Sequence, residues 1–379
     1  MPRQGTAITR RRDEVVGPAV RAGSVNEVFE RASDRLRRIV PYDAAVWMAT
    51  DPATNLPTAP ARAENLGHVC RGDTNSWMPV WELEFYVADV NLYRDLARAD
   101  TPAAALRLST DDRPARSARY RELLRPSGFE DELRAVLRVD GSAWASVALY
   151  RKPGRPVFNA AEAALVAGLS KPLATAIRDH ARPAAPEARP VGQGPGLMVF
   201  SSAGELISIN DDARAWLDEL PSDTVAGDES TGLLPMVIAA TLMRARAIAA
   251  DRQHGSARAR LRSRSGRWLV CHASCLRDAD GGVADTALVI EPAAGSEISS
   301  LVIEAYELSS REQQVTHLIA RGYSSAEIAT RLHLSIHTVR DYVKAVFEKV
   351  GVSSRGELVA KLFADHYSDP FHETLVHLH

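Results

Sequence analysis

Arg340, Asp341 and Lys344 put a guanidinium, a carboxylate and an ammonium within five consecutive residues. That set is suited to recognition. An arginine fork fits the acceptor edge of guanine, and a carboxylate can accept from the N4 amine of cytosine. Bond-making chemistry has no comparable support. None of the five lysines follows a glycine, so a phosphate loop ending in Gly-Lys is absent, as are HExxH, GxSxG and GxGxxG. The chain is therefore expected not to be an enzyme.

The three residues sit on a helix whose apolar side chains are Val339, Val343, Val346, Phe347 and Val350, spaced i, i+4, i+7, i+8 and i+11. One stripe turns inward, and His337, Arg340, Asp341, Lys344 and Glu348 point away from it. Ser335 is its N-cap. Two shorter helices precede it and a fourth follows, three of the four opened by Ser309-x-x-Glu312, Ser324-x-x-Glu327 and Ser354-x-x-Glu357, the pattern of a capping box. The first should bury Val315, Leu318 and Ile319 and stop at Gly322; the second should bury Ile328, Ala329 and Leu332. Two capped helices and a third presenting cations outward is an arrangement that a DNA major groove accepts. A small helical subdomain with an ordinary solvated face shows the same periodicity.

The stretch LSSREQQVTHLIARGYSSAEIATRLHLSIHTVRDYVKAVFEKVGVSSRGELV resembles the LuxR-type helix-turn-helix. Leu308, Ser309, Arg311, Glu312, Val315, Ala320 and Gly322 match its opening. Glu327, Ile328, Ala329, Leu332, Ser335, Thr338 and Val339 match its core, and Lys349, Val352, Ser354 and Arg355 approximate its end. The resemblance implies base contacts from Arg340, Asp341 and Lys344, in agreement with the helical wheel, and backbone contacts from Thr338, Tyr342, Lys349 and Arg355. Tyr342 stands where the family usually has His. Leu358, Val359 and Leu362 on the last helix are candidates for a dimer face, shared with core packing. The implied partners are double-stranded DNA, a second copy of the chain and, indirectly, RNA polymerase.

Around this segment the composition is that of a soluble globular protein: 379 residues, 45% hydrophobic, 25% charged, net charge -2. A chain basic throughout is excluded. The near-zero sum hides a partition, because residues 308–363 carry eight cations against five acids, a net +3, leaving −5 elsewhere. Three cysteines imply no disulfide framework and a cytoplasmic location is expected. Cys271 and Cys275 share strand parity, and two ordinary core or surface residues is the simpler reading. The longest apolar run, Leu233 to Met243, is too short to span a bilayer, and no signal peptide is expected.

Pro/Ala-rich stretches divide the chain into a tail (1–23), an α+β block (24–180), a linker (181–195), a second α+β block (196–292), a linker (293–306), the all-α four-helix segment (307–363) and a tail (364–379). The first block reads as a helix from a Ser24 cap, a buried strand over Ala44 to Thr50, two strands meeting at Asp140-Gly141, and a helix over Asn159 to Asp179. Through YDAAVWMATDPATNLPT, DVNLYRDLARA, ELRAVLRVDGSAWASVALYR and PVFNAAEAALVAGLS it resembles a GAF-type sensor of the kind joined to LuxR-type helix-turn-helices in actinobacteria. The second reads as a hairpin around Ser201 to Gly204, helices over Asp211 to Leu220 and Leu233 to Ala250, and three closing strands. It resembles a PAS domain through Gly204, Asn210, Ala213, Leu217 and LRSRSGRWLV.

No cofactor is expected, and a small-molecule effector, if bound, has no signature here. Asp278-x-Asp280-Gly281-Gly282 reads as a hairpin turn and not a calcium loop. The helix over Leu233 to Ala250 holds no haem-ligating His, and no receiver-type acidic pair opens a block. Arg258, Arg260, Arg262 and Arg264 alternate along one strand and read as a solvated face. Trp47, Trp77, Trp81 and Trp144 are core aromatics that could line a cavity. His366, His372, His377 and His379 crowd the terminus without regular spacing. Two other readings stay open: a sigma-like polymerase factor, which shares the E-I-A…T-V core, and a cofactor-binding signalling protein with a secondary DNA module.

Overall fold

The computed structural model describes residues 2–363 apart from 67–76, 183–193, 222–223, 227–233, 279, 295–296, 299–300, 302–304 and 307. The chain forms two compact units: Met1–His180 with Pro190–Pro292, and Ala181–Arg189 with Ala293–His379.

In the first unit, residues expected as a tail form helix α1 (Pro2–Ala19), whose Val15 and Ala19 are fully buried. The Arg10-Arg11-Arg12 run and Gly17-Pro18 hid this helix in the sequence, because neither reveals the short apolar stripe. Helix α2 (Val25–Ile39) starts at Ser24, whose hydroxyl accepts from the Glu27 amide, and buries Val28, Phe29, Ala32 and Leu36. Here the Glu27 carboxylate caps the Gly23 amide at 2.6 Å, one residue beyond the expected box.

Strands β1 (Ala44–Thr50), β2 (Pro57–Glu64), β3 (Ala103–Ala105), β4 (Asp131–Val139) and β5 (Ser142–Arg151) form an antiparallel sheet ordered β3-β4-β5-β1-β2. Every residue of β1 is buried, as its unbroken apolar run requires of a strand covered on both faces. Asp140 and Gly141 (φ 52° and 87°) make the β4–β5 turn, a left-handed pair that Asp-Gly adopts readily. Between β2 and β4 lie three short helices: α3 (Met78–Phe85), α4 (Tyr93–Leu96) and α5 (Leu106–Ser109). Helix α6 (Ala160–Asp179), opened by an Asn159/Glu162 capping box, packs on β4, with α1 against it. Its length and composition would suit a membrane span, yet half of it is buried inside the protein.

The middle block repeats the pattern with β6 (Gly196–Phe200), β7 (Leu206–Ile209), β9 (Arg258–Arg262), β10 (Trp268–Arg277) and β11 (Val283–Pro292), ordered β7-β6-β11-β10-β9. In both sheets the first strand lies between the second and the fifth. Asn210 ties hairpin to helix: its Oδ1 accepts from the Leu197 and Ala213 amides, capping α7 (Asp211–Glu219). Asp278 closes the β10–β11 turn by accepting from the Asp280 and Gly282 amides.

The two blocks share one core. Helix α8 (Met236–Ala249) contacts β9, β10 and β11 of its own block and β2 and α3 of the other. Met236 to Met243 are all buried, which is why this helix is apolar all round and not striped. The middle block also lends strand β8 (Thr224–Ala226), parallel to β2, to the edge of the first sheet. The arginine strand is not a solvated face: Arg260 is 7% exposed and pairs with Asp51 of the N-terminal block. Parity placed these arginines on one face correctly but cannot see what covers it. Cys271 and Cys275, four residues apart on β10, are separated by roughly 13 Å, beyond disulfide reach.

The second unit carries helices α9 (Ser310–Ala320), α10 (Ser325–Leu332), α11 (Ile336–Val350) and α12 (Arg355–Phe363).

Candidate nucleic-acid interface

The caps fix the ends of these helices. Ser309 with Glu312 and Ser324 with Glu327 are complete capping boxes, each hydroxyl accepting the N3 amide while the glutamate accepts the N-cap amide. The third is rearranged. Ser354 accepts from the Glu357 amide, but the Glu357 carboxylate takes the Ser353 amide at 2.7 Å and the Ser353 hydroxyl at 2.9 Å. Helix α9 ends before Gly322 (φ 85°), and α10 ends on His333, which adopts the left-handed conformation (φ 54°). Ser335 then caps α11 through the Thr338 amide at 3.0 Å.

Val315, Thr316 and Ile319 of α9, Ile328 and Ala329 of α10, and Val339, Val346 and Val350 of α11 are buried together with Leu358 and Leu362 of α12. Leu318, Leu332, Val343 and Phe347 are half-buried around them. The expected inward stripe of α11 is thus present.

On the opposite side His337, Arg340, Asp341, Lys344 and Glu348 are all exposed. Arg340 and Lys344 make no ion pair or side-chain hydrogen bond among the described residues, so their donors face solvent. Asp341 lies 4.0 Å from the His337 ring as an i, i+4 neighbour. Tyr342 is half-buried on the flank, as is Thr338, whose hydroxyl lies 2.8 Å from that of Ser335.

The other two residues expected at the DNA backbone are engaged inside the unit. Lys349 donates to Glu312 at 2.7 Å. Burial works to raise the Glu312 carboxyl, but the hydrogen bonds from Lys349 and Ser309 outweigh it and hold it below its usual range. Arg355 donates to the Tyr323 carbonyl and the Ser325 hydroxyl, both at 2.8 Å, bracing the start of α10. Of the three dimer-face candidates, Leu358 and Leu362 point into the core (0% and 2% exposed), while Val359 is half-buried. No periodicity argument could have found the Lys349 and Arg355 contacts, because their partners lie 37 and 30 residues away.

In the first unit, Trp77 and Trp81 line an apolar cavity of about 20 Å³ with Val46, Leu124 and Phe129. Trp47 instead packs on Phe29, ring centroids 6.0 Å apart. Arg134 enters this cavity carrying Glu84 at 2.7 Å and Glu132 at 3.0 Å, all buried. No group of three metal-ligating side chains occurs among the described residues. The terminal histidines lie outside them, as does Cys70.

Residues 306–362 match the family described as bacterial regulatory proteins, luxR family. Response regulator protein VraR of Staphylococcus aureus is 41% identical over 61 residues, 16% of this chain and 29% of that protein. The chain therefore spans under a third of the length of the curated relatives it matches. Among solved structures, the phage VqmA–DPO complex is 18% identical, covering 48% of this chain and 87% of that one, with a TM-score of 0.22. Escherichia coli SdiA is 11% identical over 94% and 96% of the two chains, with a TM-score of 0.33. For the second unit, the capped helices and the inward stripe of α11 coincide with the residues that match the luxR family, 306–362.

Proposed function

We propose that this chain is a sequence-specific transcription regulator whose α11 enters the DNA major groove, with Arg340, Asp341 and Lys344 toward the bases. The observation that carries this is the outward face of α11. Its two cations make no ion pair among the described residues, whereas Lys349 and Arg355 are held within the unit. Thr338 and Tyr342 flank the groove-facing set as backbone contacts. Lys349 and Arg355 would reach phosphates only by exchanging or sharing their present partners. Helix-turn-helix modules read paired half-sites one helical turn apart, so the working form is a homodimer, with Val359 the surface-accessible member of the α12 set. RNA polymerase is then affected through the bound promoter.

Residues 24–180 and 196–292 are read as GAF-like and PAS-like sensors that alter how two DNA-binding units are spaced. Two α+β sheets of one strand order, packed on a shared core, support that reading. Genome-wide mapping of bound DNA, followed by binding of wild type and Arg340→Ala to the recovered operator, tests it. Equal affinity and equal base preference for the two proteins would refute the groove assignment.

A further inference from the structure

A second cavity in the first unit, of about 490 Å³, opens between the first sheet and the loop that follows α8. Its volume lies within the range of small-molecule sites. Its lining is strongly cationic: Arg94, Arg98, Arg244 and Arg252 all border it. Glu84, the acidic lining residue among the described residues, is already committed, one oxygen to Arg134 at 2.7 Å and the other to the Tyr93 amide at 2.8 Å. Arg94 donates to the Glu84 carbonyl at 2.8 Å, and its ion pair with Asp95 is long, at 3.9 Å. Arg98 and Arg252 are exposed at the rim and make no ion pair or side-chain hydrogen bond among the described residues.

Arg244 is the anchor. It is half-buried and stacked 5.6 Å from the Phe85 ring centroid, with Nη1 on Gln253 Oε1 (2.8 Å) and Nη2 on the His254 carbonyl (2.7 Å). Both partners are neutral, and its buried Nε has no acceptor. Burial, then the fields of Arg94 and Arg98, lower its proton affinity from the usual arginine range. Four guanidinium groups beside a single lining carboxylate that is already committed, among the described residues, repel one another, a cost that an incoming anion removes. A fixed arginine fork suits a carboxylate or phosphate. Trp81, Phe85 and Tyr93 supply an aromatic wall beside it.

We propose that this cavity binds a small organic anion with a flat apolar part, its charged group on Arg244, Arg98 and Arg252 and its body against Phe85 and Trp81. The proposal rests on the sensor reading of residues 24–292 and names the chemical class of the signal. Because the cavity is bordered by α3 and α4 of one block and the α8–β9 loop of the other, its occupant would set how the two blocks close on each other.

Calorimetric titration of the full chain with phenyl phosphate and with benzoate tests the site and tells phosphate from carboxylate recognition. At least one should bind, more weakly as salt rises. Affinity should fall about tenfold or more in Arg244→Met and in Arg98→Ala/Arg252→Ala. The double variant alters only rim side chains and keeps the test valid if Arg244→Met fails to fold. No binding of either anion at roughly 10 mM, or equal affinity in the double variant, overturns the site. Operator affinity of the wild-type chain with and without phenyl phosphate addresses the sensor reading separately. Anion binding without any change in DNA affinity overturns regulation through this site but leaves the site. Intact DNA binding without anion binding overturns the site and leaves the DNA-binding reading standing.

Discussion

Arg260 grips Asp51 across 209 residues of sequence, Nη2 to Oδ1 at 2.5 Å and Nε to Oδ2 at 2.9 Å, while the Arg260 amide also donates to Oδ2. Both side chains are nearly inaccessible, at 7% and 1% exposure. The pair sits where strand β9 of the middle block meets the end of β1, so it fastens two blocks that the Pro-rich stretch between them could only tether.

Breaking one side of that pair takes from the buried Arg260 the carboxylate that both its guanidinium and its amide use. Asp51→Ala should therefore destabilise the first unit by about 3–5 kcal/mol. The double replacement Asp51→Leu/Arg260→Met should recover most of the loss, since removing both charges removes the desolvation cost. Urea unfolding of the three variants decides this; a double variant no better than the single would show that the pair is not the cause.

On the DNA side, Arg340→Ala should cost about 1–3 kcal/mol of operator binding and relax preference at one base pair. Lys349→Ala should weaken all sequences alike, and it should also loosen α9, because Glu312 loses its ion-pair partner. Binding to a panel of single-base operator variants, with a melting curve for each protein, separates these two effects.

Acid should open α9 before it opens the apolar core around it. The Glu312 carboxyl is held below its ordinary value of 4.5 in the folded chain. A carboxyl lowered on folding stabilises the protein above its unfolded pKa, and that contribution disappears as pH falls through the lower, folded value. Amide exchange along Ser310–Ala320 should accelerate as pH drops below about 4.5 relative to Glu312→Gln, after correction for intrinsic rates. Parallel profiles for the two proteins would contradict the assignment.

Gly196 opens β6 directly beneath α7. A Cβ there would lie 2.6 Å from Ala213 Cα and 2.8 Å from Ile290 Cγ2. Gly196→Ala should cost about 1–3 kcal/mol through overpacking, read from a thermal melt of the full chain. A neutral result would mean that α7 can move away freely.

Cys271 is fully buried, and desolvation pushes its thiol up to about 12 despite a hydrogen bond with Thr241. Peptide mapping after iodoacetamide at neutral pH should find it unmodified in the native chain and alkylated in urea.

Local patterns carried much of this structure. The capping serines, the 3.6-residue stripe of α11, the Asp140-Gly141 turn and the all-apolar β1 are properties of short windows, decided by hydrogen bonds and burial within a few residues. They were legible in the sequence, as was the outward face of Arg340, Asp341 and Lys344. Three features were not. Helix α1 was hidden by its arginines, because its burial depends on α2 and α6 being there to receive Val15 and Ala19. The arginine strand took on a structural role only when Asp51 was folded over it. Lys349, Arg355, Leu358 and Leu362 had surface chemistry or apolarity that suited an interface, and the tertiary structure turned them to partners within the unit. Periodicity says which side chains share a face; what covers that face depends on contacts between distant segments, and only the folded chain brings those together.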